Sequence, residues 1–200
     1  MQKLLIWIGC SLWLLSMNNS FSYAQDAPKK IDAQWVIGAG LYLGGESVAE
    51  IYFEDGSEQP VRAGQGGAVF VGGQFAWLRL PDLYVRTTAG IKYVTTKADN
   101  AHIRLSRFPI TMTAHYKVTD KIHIGAGVTS HQGIRFKSDG IGGDGSFTSK
   151  PGPVLEIGYG DFAFTYTKLA YHDDAHVRYD ASAFGLTAST AIRGFGKKKK

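Results

Sequence analysis

The chain has 200 residues and a formal net charge of +5, and Lys3 with Lys197 to Lys200 supply all five of those charges. The body between them is neutral, which excludes a basic groove of the kind that nucleic acid requires. Twenty-five glycines, six prolines and 12% aromatic residues, with frequent Thr and Val, point to a β protein.

Residues 1–24 read as an export signal. Lys3 provides the basic start, Leu4 to Leu15 the apolar stretch, and Ser22-Tyr23-Ala24 the small residues at −3 and −1 of a cleavage site. The apolar stretch is shorter than the roughly 20 residues a membrane helix needs. Cys10 does not read as a lipid anchor, because Trp7 stands where such a motif wants Leu and the apolar run continues past the cysteine. Cleavage after Ala24 removes the single cysteine, and with it disulfide and thiol chemistry. Residues 25–33 are expected to form a periplasmic lead-in, 34–195 a β-barrel, and 196–200 a solvated basic tail. Past the signal no apolar stretch is long enough for a membrane helix, so a membrane-spanning reading demands a closed barrel, in which no sheet edge is left unpaired in lipid.

From Trp35 onward eight runs alternate with period two. The first places Trp35, Ile37, Ala39, Leu41 and Leu43 on one face, with Val36, Gly38, Gly40 and Tyr42 on the other. The second, about Gln65 to Leu78, gathers Val69, Val71, Phe75 and Trp77. The third, Leu83 to Thr96, sets Val85, Thr87, Ala89, Ile91 and Tyr93 against Arg86, Thr88, Gly90 and Lys92. The fourth sets Phe108, Ile110, Met112, Ala114 and Tyr116 against Thr111, Thr113 and His115. The fifth opposes Ile122, Ile124, Ala126 and Val128 to His123, Gly125, Gly127 and Thr129. Leu155, Ile157 and Tyr159 against Glu156 and Gly158 make the sixth, and Phe162, Phe164 and Tyr166 the apolar face of the seventh. The eighth carries Phe184, Leu186, Ala188, Thr190 and Ile192 opposite Gly185, Thr187, Ser189 and Arg193.

Connections after the even runs are brief (79–82, 118–120, 160–161). Those after the odd runs are longer (about 44–64, 97–102, 131–152, 171–180), the habit of outer-membrane barrels with short periplasmic turns and longer extracellular loops. Gly160-Asp161 reads as a two-residue hairpin loop with Tyr159 opposite Phe162. Pairing Lys117 with Lys121 would set His115 opposite His123. Ile103 and Leu105 are out of phase with Phe108, which predicts a bulge near Ser106-Arg107 or a late strand start. Trp35, Trp77, Tyr116, Tyr159 and Phe162 would form one aromatic girdle at the short-turn end. Loop 131–152, with Gly140, Gly142, Gly143 and Gly145, reads as mobile.

The polar face is too sparse in charge for a water-exposed surface and suits a lumen, so the apolar face is expected to meet lipid. A soluble lipocalin-like carrier, with the apolar face inward, is the alternative. The chain resembles the eight-stranded outer-membrane superfamily of the OmpA barrel domain and OmpX. The segments that carry the resemblance are WVIGAGLY from Trp35, RFPITMTAHY from Arg107, IHIGAGV from Ile122 and LEIGYG from Leu155. It implies an all-β, eight-stranded, antiparallel up-and-down transmembrane barrel in the cell outer membrane of a Gram-negative bacterium. The implied partners are outer-membrane lipid, lipopolysaccharide and, during biogenesis, the barrel-insertion machinery. Such proteins usually end on an aromatic residue, whereas here Phe195 is followed by Gly196 and four lysines.

Three constellations carry candidate chemistry. Arg86, Lys92 and Glu156, with His115 and His123, form a lumen polar network, expected as compensated ion pairs although it could hold a small ion. His172, Asp173, Asp174 and His176 are a weak metal candidate in the last loop. Lipid A deacylases on this fold use a His-x-Ser pair on one strand face. No histidine here is followed two residues later by serine, and the adjacent Ser130 and His131 would point to opposite faces. A non-enzymatic barrel is therefore expected, with a lipid A-modifying enzyme as the alternative. No cofactor and no wide pore are expected, and a closed barrel needs no second copy to satisfy its edges.

Overall fold

The computed structural model describes residues 31–52, 58–98, 101–139 and 143–193. The signal segment, most of the lead-in and the basic tail lie outside the described residues. Thirteen strands follow in order: β1 (Ile31–Leu43), β2 (Ser47–Tyr52), β3 (Glu58–Arg62), β4 (Gly66–Trp77), β5 (Leu80–Ala98), β6 (Ala101–Lys117), β7 (Ile122–Asp139), β8 (Gly145–Ser149), β9 (Gly152–Tyr159), β10 (Phe162–Thr167), β11 (Ala170–His172), β12 (Arg178–Asp180) and β13 (Ala183–Arg193). Eight of them, β1, β4, β5, β6, β7, β9, β10 and β13, close into an antiparallel ring: β13 pairs back onto β1, and β7 onto β9. The chain is an eight-stranded up-and-down barrel.

Strand alternation follows the expected phase in all eight ring strands. Trp35, Leu41, Val69, Ile91, Met112, Leu155, Phe164 and Leu186 all face outward, while Val36, Tyr84, Thr113 and His115 are buried inside. Phe75, Ile91, Phe108 and Phe164 stand 41%, 52%, 50% and 51% exposed, so the apolar face does not crowd the barrel axis. The five girdle aromatics are all exposed at the short-turn end.

Two turns differ from expectation. The first short turn is Leu78-Arg79, because Trp77 pairs with Leu80 and the irregularity falls afterwards, beside Pro81, which cannot donate to the ladder. In the second, Lys117 pairs with His123, not Lys121, so His115 lies opposite Gly125. Thr119 widens this turn: its hydroxyl accepts from the backbone N–H groups of Lys121 (3.3 Å) and Ile122 (3.0 Å). The shift is two residues, so both imidazoles still point inward. The third turn is as predicted, with Tyr159 opposite Phe162 and Gly160 at φ 60.

The bulge expected on β6 is absent: Ile103, Leu105, Arg107, Thr113 and His115 are all buried, so alternation runs unbroken along the strand, and its register with β5 is constant. The extra residue is on β7, where Gly133 (φ 55) and Ile134 lie between the partners of Phe108 and Ser106 and face Arg107 alone. One extra residue reverses side-chain parity. On the short-turn side, Phe108, Ile110 and Met112 point out; on the other, Ile103, Leu105 and Ile134 are buried, at 3%, 0% and 1% exposure, while Arg135 and Lys137 point out. Apolar residues thus move from the outer to the inner face of both strands at one level, by a change of sequence pattern on β6 and through the bulge on β7.

Past that level the long connections are built into strands. β2 and β3 form a hairpin, β8 extends β7, and β11 and β12 form a second hairpin on β8. The expectation of a mobile 131–152 is corrected: 131–139 continue β7 and 145–149 are β8 (Gly140 and Gly142 lie outside the described residues). Ala63, Leu105, Ile134, Leu169, Tyr171 and Ala181 form an apolar core inside this cap, with Val94, Phe136 and Phe147 against it. Glu46 fastens the two hairpins: its N–H donates to Asp180 O (2.7 Å), and its carboxylate accepts from Asp180 N (2.7 Å).

Candidate functional site

The lumen holds two polar layers with a small cavity between them. The layer nearer the short turns is one row of the sheet. His115 on β6 is opposite Gly125 on β7, which is opposite Glu156 on β9. The glycine leaves the space over which the flanking side chains meet; a Cβ on Gly125 would lie 2.6 Å from His115 Nδ1. His123 leans over Gly158 in the same way, 2.2 Å from where a Cβ would stand. Glu156 Oε1 then lies 3.4 Å from His123 Nε2 and 3.8 Å from both His115 Nδ1 and Arg86 Nη1. Tyr84 stacks on His115 at 4.7 Å between ring centroids, and Thr113 Oγ1 shares a 2.7 Å hydrogen bond with His115 Nε2. Arg86 reaches this group from across the lumen, donating to Ser189 Oγ and Gln74 Oε1, both at 3.1 Å.

Lys92 does not join that network, contrary to the expectation of ion pairs with Arg86 and Glu156. Its Nζ donates to Gly64 O (2.6 Å) and sits 4.0 Å from the Tyr42 ring centroid. It belongs to the second layer, beside the fully buried Arg107, which donates to Gln65 O. His131 Nδ1 and Tyr171 Oη complete this layer with a 2.5 Å hydrogen bond. Two buried cations here are held by backbone carbonyls and an aromatic face. These members escaped sequence reasoning, although unbroken alternation from His115 and Thr113 along β6 puts Arg107 inward with Leu105. Between the layers is a cavity of about 70 Å³ with a threonine-rich wall, room for a few waters at most. A second cavity, of about 160 Å³, opens at the short-turn end onto Arg86 and His123.

The last-loop residues do not converge. Asp173 is engaged in its own turn, accepting from Val177 N (2.8 Å) and Tyr179 Oη (3.2 Å), and His176 occupies a left-handed turn position. Among the described residues, the three-donor set that does gather is His115, His123 and Glu156, whose ligand atoms lie within 4.8 Å of one another. His131 and Ser130 take opposite faces, as expected: the histidine is buried with Tyr171, while Ser130 Oγ accepts from Gln132 Nε2 (2.7 Å).

No protein-family model matches the chain, and no curated protein sequence matches it. Among solved structures the chain is similar to Ail, the attachment invasion locus protein of Yersinia pestis, solved with the heparin analogue sucrose octasulfate. The identity is 10%, covering 80% of this chain and 99% of that one, with a TM-score of 0.40. It is also similar to the outer membrane protein AlkL, solved in DMPC lipid bilayers, at 12% identity, 89% and 99% coverage and a TM-score of 0.39. Both neighbours are eight-stranded outer-membrane β-barrels.

Proposed function

We propose that this chain is an integral outer-membrane barrel without enzymatic activity, which spans the bilayer with its apolar belt and presents its strand-built cap outside the cell. The observation that carries this reading is that apolar residues face outward on one stretch of β6 and β7 and inward on the next. Water on every side would impose one burial rule along a strand; lipid against one stretch and water against the next imposes two, and the bulge marks the boundary. Phe108 and Tyr116 delimit the belt on β6 eight residues apart. That is about 27 Å of strand, or about 20 Å along the normal at a tilt near 40°. The carrier alternative would need the apolar face around the axis, where the threonine, histidine and arginine side chains lie.

Arg135 and Lys137 project outward just past the boundary, with Arg104 on β6 paired to Asp139. At that level they would meet the phosphates of lipopolysaccharide. Arg135→Ala/Lys137→Ala is expected to reduce lipopolysaccharide co-purifying with the barrel while leaving the fold intact.

The membrane reading is tested by cell fractionation and by gel electrophoresis with and without heating. Sedimentation with the outer membrane and a heat-dependent mobility change are expected; release from the periplasm without detergent would overturn it. Acyl release from labelled lipopolysaccharide, abolished by Ser130→Ala or His131→Ala, would replace the non-enzymatic reading with the enzymatic one.

A further inference from the structure

We infer that His115, His123 and Glu156 form a binding site for one divalent transition-metal ion of the zinc class, entered from the short-turn end. Three ring strands contribute one ligand each, and the donor atoms are His115 Nδ1, His123 Nε2 and Glu156 Oε1. All three are buried, and none makes a hydrogen bond of ordinary geometry to another protein atom. With His115 Nδ1 and His123 Nε2 unprotonated, three electron-pair donors aimed at one point repel one another unless a cation lies among them. The distances from Glu156 Oε1 to the two imidazole nitrogens, 3.4 and 3.8 Å, are close to the separation of about 3.4 Å that two ligands have around tetrahedral zinc at about 2.1 Å.

The surroundings support a metal rather than an accidental meeting of side chains. When His115 Nε2–H donates to Thr113 Oγ1, the lone pair is on Nδ1, facing the carboxylate; such an outer hydrogen bond is the usual way a ligating histidine has its tautomer set. Gly125 and Gly158 supply the space in which the two rings lie. The cavity at the short-turn end reaches His123, so an ion has an entry path and room for a water as fourth ligand. Arg86 is a neighbour of the same carboxylate oxygen and opposes added positive charge. Its guanidinium is drawn toward Ser189 and Gln74, and two of the three donors are imidazole nitrogens. The site therefore suits Zn²⁺, Co²⁺ or Ni²⁺, which nitrogen ligands hold well, and not Ca²⁺ or Mg²⁺, which depend on oxygen ligands and charge.

The test uses the untagged, detergent-solubilised full-length barrel titrated with Co²⁺, following its visible absorption, with Zn²⁺ displacement and Mg²⁺ as control. The expected result is one equivalent of Co²⁺ per chain, displaced by Zn²⁺ and not by Mg²⁺. Saturable binding should be lost in His123→Asn and in Glu156→Gln, and weakened about tenfold in Thr113→Val. It should survive in His172→Ala/His176→Ala. Only variants that keep the heat-dependent mobility shift are scored, and the isosteric Glu156→Gln preserves the packing if His123→Asn does not fold. Absence of saturable binding, binding unchanged in Glu156→Gln, or binding lost with the two loop histidines would each overturn the assignment. None of these outcomes bears on the barrel's cellular location.

Discussion

At the scale of single residues, the lumen is governed by where glycine is. His123 occupies the space that a side chain at position 158 would need, with its ring carbon 2.2 Å from the missing Cβ. Gly158→Ala is expected to displace that ring and to destabilise the barrel by about 1–3 kcal/mol, measured by urea unfolding in lipid vesicles. Gly143→Ala, where nothing lies within 4 Å, should be neutral in the same assay. In the cap, the Asp180 carboxyl accepts from the Ser182 hydroxyl (2.6 Å) and backbone N–H (2.9 Å), which hold it below the ordinary carboxylate range. Because the folded value is depressed, its stabilisation is present above the unfolded value of about 3.9 and is lost as pH falls through the folded one. Proteolysis of the cap should therefore accelerate below about pH 4, and Ser182→Ala should reduce that dependence.

At the scale of elements, the bulge on β7 sets the faces of that strand beyond Gln132. Gly133 lies at φ 55, and a Cβ there would meet the Phe108 ring at 3.1 Å. Deleting Gly133 would restore uninterrupted alternation on β7 while leaving Ile134 inward and Arg135 outward. The deletion variant is therefore expected to keep its heat-dependent mobility shift, whereas inserting one residue in β7 between Ile134 and Arg135, which turns Arg135 inward, should abolish it. Leu105, with no exposed surface, is core although it lies on a strand whose other half presents its apolar residues outward. Leu105→Ala should cost about 2–4 kcal/mol by cavity formation, read from the same urea unfolding.

At the scale of the whole molecule, a barrel of eight strands has an interior that side chains fill, and this one is closed by two polar layers below an apolar cap core. Two of the four tryptophans, Trp7 and Trp13, precede the expected cleavage site, so the mature chain would retain Trp35 and Trp77, both in the girdle. Their fluorescence should be quenched more by lipids brominated near the glycerol than by lipids brominated at the chain ends. The opposite order would place the girdle at the bilayer centre and contradict the proposed span.

The sequence by itself determined the eight ring strands, their inward and outward faces and the two-residue hairpin at Gly160-Asp161; the bulge it placed near Arg107 lies across from that residue, at Gly133 on β7. The first readings are local: a period of two and a glycine able to take positive φ are written in neighbouring residues, whereas a break in apolar phase on β6 marks a change of surroundings and not of backbone. Tertiary structure alone decided which residues face one another across the barrel. A turn two residues wider than its sequence suggests leaves every face unchanged, yet moves His115 from His123 to Gly125, because parity is insensitive to even shifts. The partners of Lys92, the burial of Tyr171 and the folding of the long connections into a cap likewise depend on contacts between segments far apart in the chain, which no local pattern encodes.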